Sequence, residues 1–239
     1  MFALPERIPL LIGVLLGVGF VSAAGVSAQG RSGRTIVIRS VPPESFSGTV
    51  STYGITREDV HRIETLVPTI QTLIPIRTVP QEDVSVGDQV LQTTIAGTNN
   101  QYAEVKGFKL TQGRFLTEAD SVHQNSVAVI DSKHVQRLFP NTDPIGKAIQ
   151  FNREYFTVVG IVDSETLPSI FIPITTMRSR MGDQLLRRKS GQFELQRYEL
   201  SEVEILVDNA PKVEQTVKII EQILLNQHQT KDYEIKVRP

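Results

Sequence analysis

The chain has 239 residues, of which 40 % are hydrophobic and 21 % are charged, with a formal net charge of −1 and a mean hydropathy of −0.10. This composition is too polar for a permease with many spans, and the near-zero charge gives no electrostatic basis for nucleic-acid binding. The absence of cysteine excludes disulfides, thiolate metal sites and a cysteine nucleophile.

The first segment of interest is one uncharged apolar run, Ile8–Ala28, directly after Arg7. At about 1.5 Å per residue it spans roughly 31 Å, which matches the hydrocarbon core of a bilayer. Residues 1–34 are therefore predicted to be a retained transmembrane anchor. The alternative is a secretory signal cleaved after Ala28, so that Gln29 becomes the first residue. Either reading places the rest of the chain outside the cytoplasm.

The first part of the remaining chain predicts a β-α-β unit. Thr35–Arg39 is rich in β-branched residues and indicates a strand. Thr56, with Asp59 three positions later, has the pattern of a capping box that starts a helix. The alternation over Thr69–Thr78 predicts the second strand. The helix is expected to bury an apolar stripe formed by Val60, Ile63, Leu66 and Val67.

The last part of the chain predicts a second unit of the same kind. Val203–Val207 alternates as a strand, Asn209 and Pro211 open a helix, and Tyr233–Val237 alternates as the last strand. The apolar stripe of this helix comprises Val213, Val217, Ile220, Ile223 and Leu224.

These two units predict an α+β fold. Paired β-α-β units are typical of the split β-α-β arrangement, in which one sheet carries two helices on one face. We therefore expect one lobe to combine residues 35–79 and 201–239, and a strand-rich lobe, residues 80–200, to be inserted into it. Within the insertion the sequence predicts strands at Gln89–Thr98, Asn125–Ile130 and Ser169–Pro173. It also predicts a turn at residues 112–114, a short helix at Ser132–Phe139, and a hairpin of Ala148–Phe151 with Tyr155–Val162.

The stretch Arg178–Glu199 is polar and contains the basic cluster Arg187–Lys189. Two interpretations remain open for this cluster. It is either a solvated loop or helix end, or a contact for a partner or a lipid headgroup.

A search for chemistry finds no convergent set of residues. Gly146 and Lys147 lack both the preceding glycine and the following Ser or Thr of a phosphate loop. The carboxylate pairs Glu58–Asp59 and Glu82–Asp83 are expected to be solvated, and Glu118 and Asp120 to cap a local structure rather than bind calcium. The histidines lack metal-ligand spacing and are expected at the surface; they are His61, His123, His134 and His228.

From these observations we predict no catalytic, cofactor-binding or metal-binding residue. The chain is therefore expected not to be an enzyme.

The middle of the chain contains a series of segments with a recognisable order and spacing. They are Val105–Leu110, Gly113–Asp120, Val127–Ile130, Leu138–Pro140, Asp143–Lys147, Phe156–Ile161 and Ile170–Ile174. In this order and at these spacings the segments resemble the MacB-type periplasmic core domain of FtsX-like ABC transporter permeases.

The resemblance implies a porter-like split lobe with an inserted strand-rich lobe, preceded by Ile8–Ala28 as the family's first transmembrane helix. It implies a single-pass protein of the inner membrane whose bulk is periplasmic. Family members are expected to work as dimers driven by a cytoplasmic ATPase. The outer domain then relays conformational change and contacts a substrate or a periplasmic adaptor.

One departure from the family pattern divides the functional hypotheses. A family permease continues into three further transmembrane helices after the strand that resembles Tyr233–Val237, whereas this sequence ends at Pro239. We expect a core subunit that associates with a separate permease-helix subunit and its ATPase. The alternative is a free-standing module, anchored or secreted, that binds an adaptor, lipid or peptide without transport.

Overall fold

The computed structural model describes residues 34–42, 50–164, 169–189 and 192–238. The predicted anchor, Ile8–Ala28, lies outside these residues. Among those described, no helix has both the length and the apolar composition that crossing a membrane requires.

The described chain alternates strands with short helices. The strands are β1 (Thr35–Ser40), β2 (Val50–Thr52), β3 (Ile70–Val86), β4 (Gln89–Thr98), β5 (Lys109–Gly113), β6 (Val127–Asp131), β7 (Ala148–Phe151), β8 (Glu154–Asp163), β9 (Ile170–Pro173), β10 (Gln184–Lys189), β11 (Gln192–Arg197), β12 (Glu202–Val207) and β13 (Tyr233–Arg238). The helices are α1 (Arg57–Leu66), α2 (Tyr102–Lys106), α3 (Glu118–Val122), α4 (Ser132–Leu138), α5 (Ile174–Met181) and α6 (Val213–Leu225). The predicted α+β class is confirmed.

The two ends of the described chain share one sheet. Its strands follow the order β13-β1-β12-β3, and each neighbouring pair is antiparallel. β1 therefore runs parallel to β3 with β12 between them, and β12 runs parallel to β13 with β1 between them. Helices α1 and α6 pack on one face of this terminal sheet. Their shared core contains Ile36, Ile38, Ile55, Ile63, Val67, Val203, Ile205, Val213, Ile220 and Leu224.

The middle of the chain closes into a small barrel. β3 continues past the terminal sheet to pair with β4, and the pairing then runs through β9, β6 and β8. β7 pairs with both β8 and β3 and so closes the ring. Inward-facing side chains fill the interior, as expected for so few strands. They include Val84, Leu91, Ile95, Ala128, Ile130, Ile149, Phe151, Phe156, Val158, Ile170 and Ile172.

A third apolar cluster joins the barrel to the terminal sheet. Ile74 and Ile76 of β3 contribute to it from the terminal sheet, and Phe171 of β9 contributes from the barrel. Tyr102 of α2 and the nearby Phe108 pack their rings on Phe171, with centroid distances of 5.6 and 5.3 Å. The two parts of the fold therefore meet through an apolar cluster in which Ile74 and Ile76 join these rings.

The predicted turn at residues 112–114 is wrong, because Gln112 and Gly113 are the last residues of β5 and Arg114 follows it directly. The strand approaches β8 so closely that a Cβ on Gly160 would lie 2.0 Å from the carbonyl oxygen of Arg114. Gly113 has a φ of +70° and is equally close to β8. The two glycines are thus needed for backbone contact rather than for chain reversal.

β3 is longer than predicted and runs on to Val86 through Pro80. Its register with β4 shifts between Val79 and Glu82, and Gln81 has a φ of 57°. Such a bulge accommodates a proline that cannot donate to the ladder. The predicted lobe boundary at residues 79 and 80 therefore falls inside a continuous strand.

The interpretation of the basic cluster Arg187–Lys189 as a loop or helix end is wrong, because these residues lie in β10. β10 and β11 form an antiparallel hairpin there, and β2 joins it in parallel at Leu195–Arg197. Cross-strand pairing, which a count of polar residues does not reveal, supplies the backbone hydrogen bonds.

The predicted apolar stripe of α1 differs from the structure at one position. Leu66 is 59 % exposed, whereas Val67, directly after the helix, is buried and continues the stripe.

Candidate functional site

A cleft of about 430 Å³ lies where the start of α1, the loop after α6 and the chain after β11 come together. Acidic side chains predominate among its charged residues. The lining comprises Thr52, Tyr53, Gly54, Thr56, Glu58, Asp59, Asp183, Arg197, Tyr198, Glu199, Gln227, His228, Gln229, Thr230 and Asp232.

The start of α1 forms one wall of the cleft through the predicted capping box. Thr56 Oγ1 accepts from the Asp59 backbone N–H at 3.1 Å, and Asp59 Oδ2 accepts from the Thr56 backbone N–H at 2.8 Å. The Thr56 hydroxyl also donates to Asp59 Oδ2 at 2.6 Å. The capping prediction is confirmed. Asp59 is only 2 % exposed, however, so the expectation that this carboxylate is solvated is wrong.

His228 joins this wall to the loop after α6. Its Nε2 lies 3.2 Å from Asp59 Oδ2, and its Nδ1 lies 2.7 Å from Asp232 Oδ1. Asp232 Oδ2 in turn accepts from the Gly54 backbone N–H at 2.7 Å. The imidazole is buried, so the expectation of a surface histidine is wrong here. Sequence reasoning missed this cluster because 169 positions separate His228 from Asp59.

Arg57 organises the opposite side of the cleft. Its guanidinium donates two hydrogen bonds to Asp183, at 2.6 and 3.0 Å, and lies 2.9 Å from Glu199 Oε2. Burial raises the pKa of Asp183, but the hydrogen bonds and charge of Arg57, with the charges of Arg77 and Arg178, outweigh burial and bring that pKa below its ordinary value.

The polar groups of the cleft are already bonded to one another, which limits what they can do chemically. Both ring nitrogens of His228 face carboxylates, and the Thr56 hydroxyl donates to Asp59 rather than to the imidazole. This order of contacts differs from a hydroxyl–imidazole–carboxylate triad. Within the described residues, no group of three or more His, Asp or Glu side chains is placed to hold a metal ion.

The other histidines occupy separate places. His61 and His123 are exposed as predicted. His134 is half-buried, with Nε2 at 3.4 Å from Thr93 Oγ1, so the surface expectation does not hold for it. Burial lowers the pKa of His134, and the charge of Lys133 acts in the same direction.

Gly146 and Lys147 form a turn rather than a phosphate loop. The Gly146 N–H donates to the Val158 carbonyl at 2.8 Å, and the Lys147 N–H donates to the Pro144 carbonyl at 3.0 Å. Two backbone donors that a phosphate would require are therefore occupied.

The remaining carboxylates also have local roles. Asp120 forms a capping box with Thr117 at the start of α3, which confirms the predicted capping role of that segment. Glu82 lies in β3 rather than in a loop, and burial raises its pKa.

The family model of the MacB-like periplasmic core domain matches residues 10–223. The chain belongs to this family. The resemblance in the middle of the sequence thus extends over most of the chain.

Curated relatives carry this domain within longer proteins. A macrolide export ATP-binding/permease protein MacB from an Azoarcus species is 25 % identical over 249 residues, which cover 95 % of this chain and 35 % of that protein. MacB from Aggregatibacter actinomycetemcomitans is 42 % identical over 71 residues, or 30 % of this chain and 11 % of that protein. The chain therefore spans about a third or less of the length of these relatives.

Solved structures show the same fold. The periplasmic region of MacB from Actinobacillus actinomycetemcomitans has a TM-score of 0.69 at 22 % identity, covering 89 % of this chain and 92 % of that one. The extracellular domain of the transporter YknZ from Gram-positive bacteria has a TM-score of 0.66 at 20 % identity, covering 84 % and 99 %.

Proposed function

We propose that this chain is the extracytoplasmic core of a MacB-like ABC transporter permease, which relays conformational change and contacts a substrate or an adaptor. The observation that carries the proposal is the family match over residues 10–223. The likeness to a solved periplasmic region over 89 % of the chain supports it.

The geometry of the terminal sheet suits a relay. Thr35, at the start of β1, pairs directly with Arg238, at the end of β13. The two ends of the folded body therefore lie side by side at one edge of the sheet. The apolar run Ile8–Ala28 ends shortly before Thr35, so this edge is the one that would face the membrane. The barrel lies at the other end of β3, farther from the attachment.

We also propose the division into lobes, with residues 1–34 as anchor, residues 35–79 and 201–239 as the porter-like lobe, and residues 80–200 as the inserted lobe. Two separate apolar cores support it, one under α1 and α6 and one inside the barrel. The change of β3 partner from β12 at Ile76 to β4 at Arg77 lies close to the proposed boundary.

The partners follow from the same proposal. The printed names of the relatives combine an ATP-binding part with a permease, which supports an ATPase and permease helices as partners of this domain. An adaptor outside the membrane and a second copy of the chain are the further partners. The cell inner membrane is the proposed location, crossed once by Ile8–Ala28, with the bulk of the chain periplasmic.

We propose that the domain is not catalytic. The support is that the groups of the cleft best suited to acid–base chemistry are paired with one another. His228 is held by Asp59 and Asp232, and Arg57 holds Asp183 and Glu199.

Purification of the native protein from solubilised membranes tests the proposal. An ATPase and a protein with several membrane helices should be recovered together with it, in amounts that a matched purification of an unrelated single-span protein does not give. Recovery of the chain alone, released from membranes by high salt, would contradict the transport proposal and favour the free-standing interaction module.

A further inference from the structure

The joint between the terminal sheet and the barrel rests on one continuous strand. β3 pairs with β12 up to Ile76 and with β4 from Arg77 onward. A long strand that changes partners can bend or twist at the change unless side chains hold its two halves together. Contacts at this point therefore decide whether the barrel follows the terminal sheet or moves independently of it.

Side chains around Arg77 form the first of two contacts, which we name the Arg77 clamp (Arg57, Arg77, Asp183 and Glu199). Arg77 is 1 % exposed, donates to the Gly182 carbonyl and lies 3.8 Å from Asp183. Asp183 also receives the bidentate hydrogen bonds of Arg57 from α1. The clamp thus connects α1, on the terminal sheet, to the segment that follows α5, beside the barrel.

A second contact, the Glu204 clamp (Lys106, Glu204 and Arg238), joins α2 to the terminal sheet. The side chain of Glu204, on β12, is fully buried. It binds Lys106 Nζ of α2 and, at 2.7 Å, the guanidinium of Arg238 at the end of β13. Burial raises the pKa of Glu204, but the charge and hydrogen bond of Lys106 outweigh it and lower that pKa below its ordinary value. The carboxylate is therefore held in its charged form.

The two clamps lie on opposite faces of β3. Glu204 pairs with Ile74, so both point to the face that carries the third apolar cluster. Arg77 lies three residues after Ile74 in a regular stretch of β3. Because successive side chains of a strand point to opposite faces, Arg77 points to the other face, toward α1. Bending β3 toward either face would pull open the clamp on the opposite one.

We infer that these two clamps lock the barrel to the terminal sheet, so that the domain turns as one rigid body when its membrane-facing edge moves. The inference deepens the proposed relay and rests on it for its role in the cell. The rigidity itself is a property of the chain alone. Arg77 and Glu204 are the buried charges of the two clamps. Opening either clamp would leave one of them without its charged partners, so neither clamp is expected to open while the domain stays folded.

Distance measurements between two spin labels test the rigidity. The chain contains no cysteine, so Gln136→Cys on α4 and Gln222→Cys on α6, both exposed positions, can carry the labels on the full chain in detergent. We expect one narrow distance distribution in this labelled parent. Adding Asp183→Asn and Glu204→Gln should broaden the distribution or add a second maximum.

The matched control is Glu58→Gln with Asp208→Asn. These changes neutralise two exposed carboxylates, each paired four residues away within the terminal part of the fold. The control distribution should equal that of the parent. If the clamp variant does not fold, Asp183→Asn alone, at a carboxylate that is 25 % exposed, provides the same readout.

Two outcomes overturn the inference: a broad distribution in the parent, or an unchanged narrow distribution in a folded clamp variant. Neither depends on an ATPase or an adaptor, so failure here is distinct from failure of the co-purification test. Conversely, if the domain is rigid but no transport partner is recovered with it, the proposed relay is contradicted and the inference about rigidity stands.

Discussion

Buried polar side chains in the cleft are held by partners from distant parts of the chain. Asp59 Oδ2 receives hydrogen bonds from the Thr56 hydroxyl and backbone N–H, and it also lies 3.2 Å from His228 Nε2. Asp232 connects the same imidazole to the Gly54 backbone. Removing the imidazole therefore takes one partner from each of two carboxylates that are largely buried, and a lost partner costs more at a buried group than at a surface group.

The change His228→Ala tests this cluster. It removes a hydrogen-bonding partner from Asp59 and Asp232, so we expect the free energy of unfolding to fall by about 1–3 kcal/mol. Urea unfolding followed by circular dichroism gives the measurement. The matched control, His61→Ala, lies at an exposed site on α1 and should change stability by less than about 0.5 kcal/mol. Equal effects of the two changes would show that the buried cluster adds no stability.

The decrease in the free energy of unfolding at low pH is expected to depend on Asp120. Burial raises the pKa of this carboxyl, but hydrogen bonds from Arg114, Thr117 and Asn125 outweigh burial and hold the pKa well below its ordinary value. Because the folded-state pKa is depressed, the stabilisation is fully present above the unfolded-state pKa of about 3.9 and is lost as the pH falls through the folded-state value.

The comparison is between the parent and Asp120→Asn, with Asp88→Asn at an exposed site as the control. In Asp120→Asn the free energy of unfolding should be lower near neutral pH and should fall less steeply in acid than in the parent. The exposed control should retain the parent's slope. Parallel curves for all three proteins would rule out a depressed pKa at Asp120.

Local residue patterns predicted the capping carboxylates but not their distant partners. The Thr56–Asp59 capping box was predictable because both members lie within one helical turn. The same holds for Asp120 and Thr117 at the start of α3. His228 carries no comparable signal, because its burial arises only when α1 and α6 pack side by side in opposite directions.

Among the secondary-structure elements, helix α6 shows what the spacing of apolar residues can predict. The four- and three-residue spacing in α6 correctly predicted its buried face, with Val213, Ile220 and Leu224 in the core. Strand alternation located β12 and β13 but did not predict burial in β12, where Glu204 and Leu206 are buried as well as Val203, Ile205 and Val207. It also did not predict which strands pair, because a pattern of period two contains no information on pairing partners. The closure of the barrel by β7 and the hairpin of β10 and β11 were therefore missed.

The substitution Ile220→Asp tests the role of α6. Ile220 is fully buried in the core shared with α1, and a carboxylate there would be charged without a partner. We expect a loss of more than about 4 kcal/mol, enough to abolish cooperative melting. Lys218→Asp adds the same side chain at an exposed position of the same helix. It should keep a melting temperature near that of the parent, and similar melting of both variants would show that the assignment of the buried face is wrong.

For the molecule as a whole, the sequence predicted that the β-α-β units at the two ends of the chain share one sheet, and β13, β1, β12 and β3 form that sheet. The arrangement of the middle part could not be predicted in the same way. β3 contributes to both the terminal sheet and the barrel, and a single strand with two successive partners has the same local pattern as a strand with one. The joint, and with it the charged clamps on both faces, thus arises from tertiary packing alone.

The folded body is expected to be stable without residues 1–30. Within the part of the chain that the structure describes, the members of each apolar core lie at Ile36 or later, so a chain lacking residues 1–30 retains every buried contact described above. We expect it to be soluble and monodisperse after gentle expression, with one cooperative melting transition, because a domain with its own core folds alone. The full chain in detergent is the control and should melt at a similar temperature. Insoluble or non-cooperatively melting truncated protein would mean that residues 1–30 contribute to folding as well as to attachment.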